Sequence, residues 1–391
     1  MRITGIEDLH ASGGRKTISF LKITTDEGVT GWSEFSEFIG SKGLTALIRE
    51  IAPGLIGEDP RATGRLSAMF KAKSRVASGG LNALAYAAIE NACIDIKAKA
   101  LGVPVYELLG GAIRDRLRVY WSHCGTYRIS TPELYGAQPV RSAEDFAGLG
   151  REVVEKGVGA LKTNIVIFDA PKPFVYFGGF GVGPGHPERD LPQSVLTAAV
   201  DQLSALREGA GKSAAIMLDI LSNFRPSDCI RLARALEPVD LAWLELDLPD
   251  PEAVCDIRRS VRTPIASLET CYHREMYRPF LEKRAVDVAI IDVMWNGIYE
   301  SVKIADLADA YDIGVSSHAF TSHLALMMSA HMCAAIPNYR YVEMDFDQPQ
   351  WNDELFHTRP VVENGHLLVP DGPGWGIEVN EDAVRANTPG N

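Results

Sequence analysis

Asp219, Glu245, Glu269, Asp292, His318 and Glu343 follow one another at intervals of 26, 24, 23, 26 and 25 residues. Each closes a short apolar run, as Ala214 to Leu218 precedes Asp219 and Val286 to Ile291 precedes Asp292. An interval of that size is one strand plus one helix, so these side chains mark the same place in successive units. A single acid after a strand often caps the next helix or opposes its dipole. Three consecutive units ending in Asp219, Glu245 and Glu269 are different, because converging like charges repel and lose solvation unless a cation lies between them. No His or Cys ends these three runs. An oxygen-only set suits a hard ion, Mg²⁺ before others, with Asp219, Glu245 and Glu269 as its ligands.

Asp292 and His318 end neighbouring runs. A carboxylate beside an imidazole fixes its tautomer and raises its pKa, so the ring can take a proton and return it. His323 competes, but it falls within the following helical stretch, which leaves His318 as the expected base. Lys162 closes the second run, from where it is expected to meet a substrate carboxylate and stabilise charge developing there. Asn164, two residues on, faces the same way and can hydrogen-bond but not act as a base. Glu343 is expected to donate to a carboxylate oxygen if a raised pKa keeps it protonated.

The elements that must hold these residues are legible in outline. Apolar runs occur at Val119 to Trp121, Gly159 to Leu161, Ala214 to Leu218, Leu241 to Leu244, Pro264 to Leu268, Val286 to Ile291, Ile313 to Ser317 and Tyr341 to Val342. Amphipathic stretches separate them, as where Ile304, Leu307, Ala308 and Tyr311 recur at helical spacing. Eight strands with intervening helices form a (β/α)₈-type barrel, a modified TIM barrel, whose C-terminal rim is where polar strand ends gather. Residues 118–345 are its expected extent. Residues 1–117 read as an α+β capping domain. It holds a hairpin of Thr17 to Thr25 and Val29 to Phe35 and a helix carrying Ala85, Ala88, Ile89, Ala92, Cys93 and Ile96, stopped by Gly102 and Pro104. Residues 346–391 are expected to pack back on the cap. The Gly- and Pro-rich stretch 171–192 is long for a strand-to-helix loop and reads as a lid or binding loop.

Composition narrows the partners. Hydrophobic residues at 46% and charged residues at 23% are globular rather than disordered. A net charge of −12 argues against nucleic acid or an anionic membrane as the main partner. A bound cation still admits a small anionic substrate. No apolar stretch is long enough for a membrane helix, and the first ten residues lack a signal-peptide core. The six cysteines show no CxxC pairing and read as reduced thiols of a cytoplasmic protein.

Together these motifs resemble the enolase superfamily, mandelate racemase subgroup, over nearly the whole chain. Gly31-Trp32-Ser33-Glu34 resembles a strand end of its capping domain. Ala88 to Lys99, followed by Leu108-Leu109-Gly110-Gly111, resembles the helix leading into its barrel. Trp243-Leu244-Glu245 and Ala266-Ser267-Leu268-Glu269 resemble metal-ligand strands, Ser316-Ser317-His318 the catalytic histidine, and Tyr341-Val342-Glu343 the electrophilic glutamate. The resemblance implies one Mg²⁺ per subunit, a base that removes the α-proton of a carboxylate substrate, an enediolate stabilised by Lys162 and Glu343, and a homo-oligomer. It also implies that loops at Ser33 to Gly40 and Val76 to Leu81 close over the mouth. Glu34, Glu37, Trp295 and Asn164 are the expected substrate contacts, with Phe35 beside them.

Departures from the pattern set the expected subclass. Asn164 stands where relatives carry a second lysine, which disfavours two-base racemisation. His318 with Asp292 would then remove the C2 proton and deliver a proton to the departing C3 hydroxyl. The expected activity is that of an acid-sugar dehydratase, a lyase giving a 2-keto-3-deoxy acid from a pentonate or hexonate. A sugar-acid epimerase, a lactone cycloisomerase and a non-catalytic sugar-acid binder are the alternatives. No histidine closely follows Asp219 to act as a separate acid. Leu268 and Asn296 stand where glycines are usual.

Overall fold

A computed structural model describes residues 1–12, 16–37, 41–77, 79–178 and 188–389, leaving aside the side chains of 350 and 351. Parts of the expected loops at 33–40, 76–81 and 171–192 therefore lie outside the described residues. The chain opens on an antiparallel meander, Ile3–Ser12, Thr17–Thr25 and Thr30–Phe35. The first of these strands was not anticipated, because Glu7, Asp8 and His10 interrupt its apolar alternation. Its Ile3, with Leu21, Ile23 and Phe35 of the other two strands, packs into the core of the cap.

The helix Leu81–Leu101 is the hub of this region. Its buried residues run from Ala83 to Ala98 and cover more than one face, because the sheet lies on one side and the barrel on another. Gly31 permits the close approach of the sheet, since a Cβ there would sit 2.1 Å from the carbonyl oxygen of Ala92. On the barrel side, Asn91 Nδ2 donates to the carbonyl of Val293 at 2.9 Å, and its Oδ1 accepts from the amide of Ile298 at 2.9 Å. The cap helix thereby fixes the chain just after Asp292. Gly102 ends the helix in the left-handed conformation, φ 69°.

Eight parallel strands follow, Arg116–Trp121, Ala160–Thr163, Ala215–Asp219, Trp243–Glu245, Ile265–Ser267, Val288–Ile291, Gly314–Ser317 and Tyr339–Met344. Each pairs with the next, and the eighth pairs with the first through Val342 and Val119, which closes the barrel. The first strand begins two residues before the expected domain edge at 118. Inside the barrel, Tyr120, Ala160, Met217, Trp243, Ala266, Val288 and Ile290 form an apolar plug.

The C-terminal segment does more than return to the cap. Strands Val362–Glu363 and His366–Leu368 form a hairpin whose second strand pairs antiparallel with Arg116 to Arg118 of the barrel. Beyond it, buried Trp375 donates its backbone N–H to Asp95 Oδ1 at 3.1 Å and its indole N–H to the carbonyl of Trp32 at 2.8 Å. The helix Glu381–Ala386 then lies on the first sheet, where the amide of Ser12 meets the carbonyl of Asn387 at 2.7 Å. All six cysteines are buried free thiols. Among the described residues, no helix is long and apolar enough to cross a membrane.

Candidate active site

Strand alternation lifts the polar groups onto the rim. Residues two apart share a face. Two residues beyond the plug positions Tyr120, Ala160, Met217, Trp243 and Ile290 come Ser122, Lys162, Asp219, Glu245 and Asp292. Tyr341, packed on the plug, leads in the same way to Glu343. The fifth strand breaks the rule. From Ala266 alternation would deliver Leu268 to the interior. Leu268 instead adopts φ 91° and packs into the outer core, and Glu269 turns inward, its Oε2 3.7 Å from His318 Nε2.

Lys162 lies among the acids. Its Nζ is 2.9 Å from Glu245 Oε1, 3.3 Å from Glu343 Oε1 and 3.9 Å from Asp219 Oδ2. Burial opposes its charge, but Glu245 and then Glu343 outweigh this and hold it above the ordinary lysine range. Among these acids it is held as a cation. Asp219 is pushed well up, first by burial and then by Glu245, with Lys162 opposing. Burial likewise raises Glu269, with His318 opposing and Glu245 adding. Such groups bind protons readily because burial and the neighbouring Glu245 outweigh the cations nearby. Among the described residues, no three His, Cys, Asp or Glu side chains form a ready metal cage. Lys162 supplies the positive charge instead. The donor chemistry of three buried carboxylates on consecutive strand ends fits a hard divalent cation, which Asp219, Glu245 and Glu269 would hold.

His318 is clamped by Asp292, its Nδ1 2.7 Å from Oδ2, and its ring packs against Trp295 and Phe320 at centroid distances of 5.0 and 4.9 Å. A carboxylate accepts, so Nδ1 carries the proton and Nε2 faces Glu269. Burial alone would lower the pKa of the ring. Glu269, then Glu343 and Asp292, lift it to about 10. Glu343 corrects an expectation. Burial favours its neutral form, but Lys162, His318 and His123 outweigh that and hold the carboxyl below the usual range. It accepts hydrogen bonds from the hydroxyl of Ser122 and, at 2.7 Å, from the amide of Ala319. It is an anion that steadies Lys162, not a protonated donor.

A model of the enolase C-terminal domain-like family matches residues 145–383, and one of the mandelate racemase / muconate lactonizing enzyme N-terminal domain matches residues 9–110. The chain belongs to the enolase superfamily, in its mandelate racemase subgroup. This subgroup member is 32% identical over 390 residues to the D-xylonate dehydratase of Haloferax volcanii, covering 98% of this chain and 88% of that one. It is 30% identical over 377 residues to the D-galactonate dehydratase of Ralstonia nicotianae, covering 93% and 89%. A crystal structure from Burkholderia xenovorans, bound to magnesium and fumarate and provisionally named an L-alanine-DL-glutamate epimerase, superposes with a TM-score of 0.97 at 41% identity, covering 99% of this chain and 96% of that one.

The expected substrate contacts of this subgroup member divide. Trp295 lies against His318. Asn164 is used within the protein: its Nδ2 donates to the carbonyl of Asp219 at 3.2 Å and its Oδ1 accepts from Thr126 at 3.1 Å. It therefore steadies the strand end that carries Asp219. Glu34 is buried and accepts from the hydroxyl of Ser322 and from the amide of Ala325 at 3.2 Å, and Glu37 accepts from the amide of Thr45 at 2.7 Å. Glu34 ties the cap to the start of the barrel helix His323–Ala335, and Glu37 braces the start of the cap helix Leu44–Ile51. Two further acids escaped sequence reading. Asp247 is buried and pushed well up, first by burial and then by Glu269, Asp219 and Glu245. Asp345 accepts from His123 Nδ1 at 2.9 Å and from the hydroxyl of Tyr127 at 3.0 Å. Each stands two residues after a residue that was found, Glu245 and Glu343, so the same alternation could have found them.

Proposed function

We propose that the chain is a cytoplasmic, Mg²⁺-dependent dehydratase that converts a pentonate or hexonate to a 2-keto-3-deoxy acid. The observation that carries this reading is the pairing of a clamped His318–Asp292 dyad with an Asn164 whose amide is already engaged. His318 supplies one base, 1,1-proton transfer needs a second proton carrier on the opposite face, and Asn164 cannot be one. The two curated relatives, named for a pentonate and a hexonate, support the substrate class.

Bound to Asp219, Glu245 and Glu269, Mg²⁺ would neutralise them, polarise the substrate carboxylate so that its C2–H becomes acidic, and remove the anionic neighbour that holds the proton on His318. His318 Nε2 takes the C2 proton, and the C–H electron pair moves toward the carboxylate as an enediolate. The Lys162 ammonium stabilises that charge, and Glu343 keeps Lys162 protonated and in place. Collapse of the enediolate forms the C2–C3 double bond as the C3 hydroxyl takes up a proton and leaves as water. The enol then gives the proton of its C2 hydroxyl to solvent, takes a proton at C3, which His318 can return, and becomes the keto acid.

A screen of sugar acids with Mg²⁺, read by keto-acid formation, is expected to find at least one substrate. His318→Asn should abolish its turnover with the fold intact, and full activity in that variant would remove His318 from the role of base. Asp219→Asn should weaken Mg²⁺ binding in calorimetry, independently of turnover. The epimerase reading is favoured by the likeness to the Burkholderia structure. It predicts deuterium incorporation at C2 in D₂O without loss of water, a result that would displace dehydration.

A further inference from the structure

We propose that His123, held by Asp345, is the acid that protonates the departing C3 hydroxyl. This inference rests on the dehydratase reading and completes it, since that reaction needs a proton for the leaving group as well as a base for C2.

His123 follows the first barrel strand, and Asp345 follows the eighth, its neighbour in the closed sheet. The two form a second His–Asp pair on the rim. Asp345 Oδ1 accepts from His123 Nδ1 at 2.9 Å, and Ser122 Oγ lies 3.2 Å from the same nitrogen. Tyr127 stacks on the ring at 4.8 Å between centroids and hydrogen-bonds the other oxygen of Asp345. The imidazole is thus fixed in direction and in tautomer. Its backbone is left-handed, φ 50°, a conformation that costs energy in a residue other than glycine and is kept where surroundings demand it. Among the described residues, Nε2 has no protein partner, and the side chain is 24% exposed. A merely structural histidine would not need that nitrogen free beside water.

The position suits the task. Phe320 contacts both imidazoles, with centroid distances of 4.9 Å to His318 and 6.0 Å to His123. Both rings also lie within electrostatic reach of Glu343, on the strand between them. His318 has one working nitrogen, and after the first step it carries the C2 proton. His123 as an imidazolium gives its Nε2 proton to the C3 oxygen while the C3–O bond breaks and the electron pair of the enediolate forms the double bond. Water leaves, and neutral His123 recovers a proton from solvent through its exposed edge.

The test uses a sugar acid that the wild type dehydrates and its 3-deoxy-3-fluoro analogue, whose fluoride leaves without an acid. His123→Asn should lose water elimination by about 10²- to 10⁴-fold. It should keep exchange of the C2 hydrogen in D₂O and release of fluoride within about threefold of wild type, since those steps need His318 alone. Asp345→Asn, offered in case the first variant does not fold, should show the same pattern more weakly. Dehydration at wild-type rate in the variants overturns the proposal. So does a parallel loss of exchange and fluoride release, which would make the pair structural. If the wild type dehydrates no sugar acid, the dehydratase reading itself fails, and that result is seen before any variant is made.

Discussion

The left-handed backbone of Leu268 costs on the order of 1–3 kcal/mol, and its buried side chain in the outer core helps to hold it there. That turn brings Glu269 inward where plain alternation would have brought Leu268. Leu268→Ala keeps the unfavourable φ and opens a cavity, for a loss of roughly 2–5 kcal/mol. Leu268→Gly opens a slightly larger cavity but relieves the backbone. The Gly variant should therefore unfold at a higher urea concentration than the Ala variant, the reverse of their order at an ordinary strand position. The usual order would show that the backbone there is unstrained. The rim acids Asp219, Glu245 and Glu269 were legible in the sequence, since each ends an apolar run. Glu269 was found for that reason alone, without the turn at Leu268 that brings it inward. His123 was not legible: it lies in a connection after a strand, and its partner Asp345 is 222 residues away. The state of Glu343 was misread because it depends on Lys162, which comes within reach only when the barrel closes.

Between elements, Glu34 is the joint where the cap strand Thr30–Phe35 meets the start of the barrel helix His323–Ala335. Burial raises its pKa from 4.5 to about 7, against the opposing hydrogen bond from Ser322. A carboxyl whose folded pKa lies above its unfolded value contributes stability that is complete below pH 4.5 and is lost as pH rises through about 7. The amount is roughly 3 kcal/mol at most. Glu34→Gln keeps an acceptor for Ser322 and removes the titration. Urea midpoints at pH 5 and pH 8.5 should therefore fall in the wild type relative to this variant, and parallel curves would exclude ionisation at this joint. The barrel strands could be read ahead because buried parallel strands are short and apolar. The first cap strand and the hairpin Val362–Leu368 could not. One is half polar along its length, and the other is fixed by pairing with a strand far away in the chain.

Over the whole molecule, Asp95 ties the beginning to the end. Buried in the cap helix, it accepts from the amide of Trp32 at 2.9 Å and from that of Trp375 at 3.1 Å, and it pairs with Lys99 at 2.9 Å. Asp95→Ala leaves Lys99 without this partner and two buried amides without an acceptor, so a loss of roughly 3–5 kcal/mol is expected in chemical denaturation. Proteolysis should then cut the segment around Trp375 sooner than in the wild type. A loss under about 1 kcal/mol would reduce the clamp to a surface-grade contact. The sealed thiols offer a way to watch such loosening. With every thiol shielded in the native state, a maleimide or disulfide reagent has little to attack until part of the molecule opens. Cys93 in the cap helix, Cys124 beside His123 and Cys333 in the last barrel helix lie in different regions. Mass spectrometry of the alkylated peptides would date the opening of each, turning an otherwise mute set of side chains into local clocks.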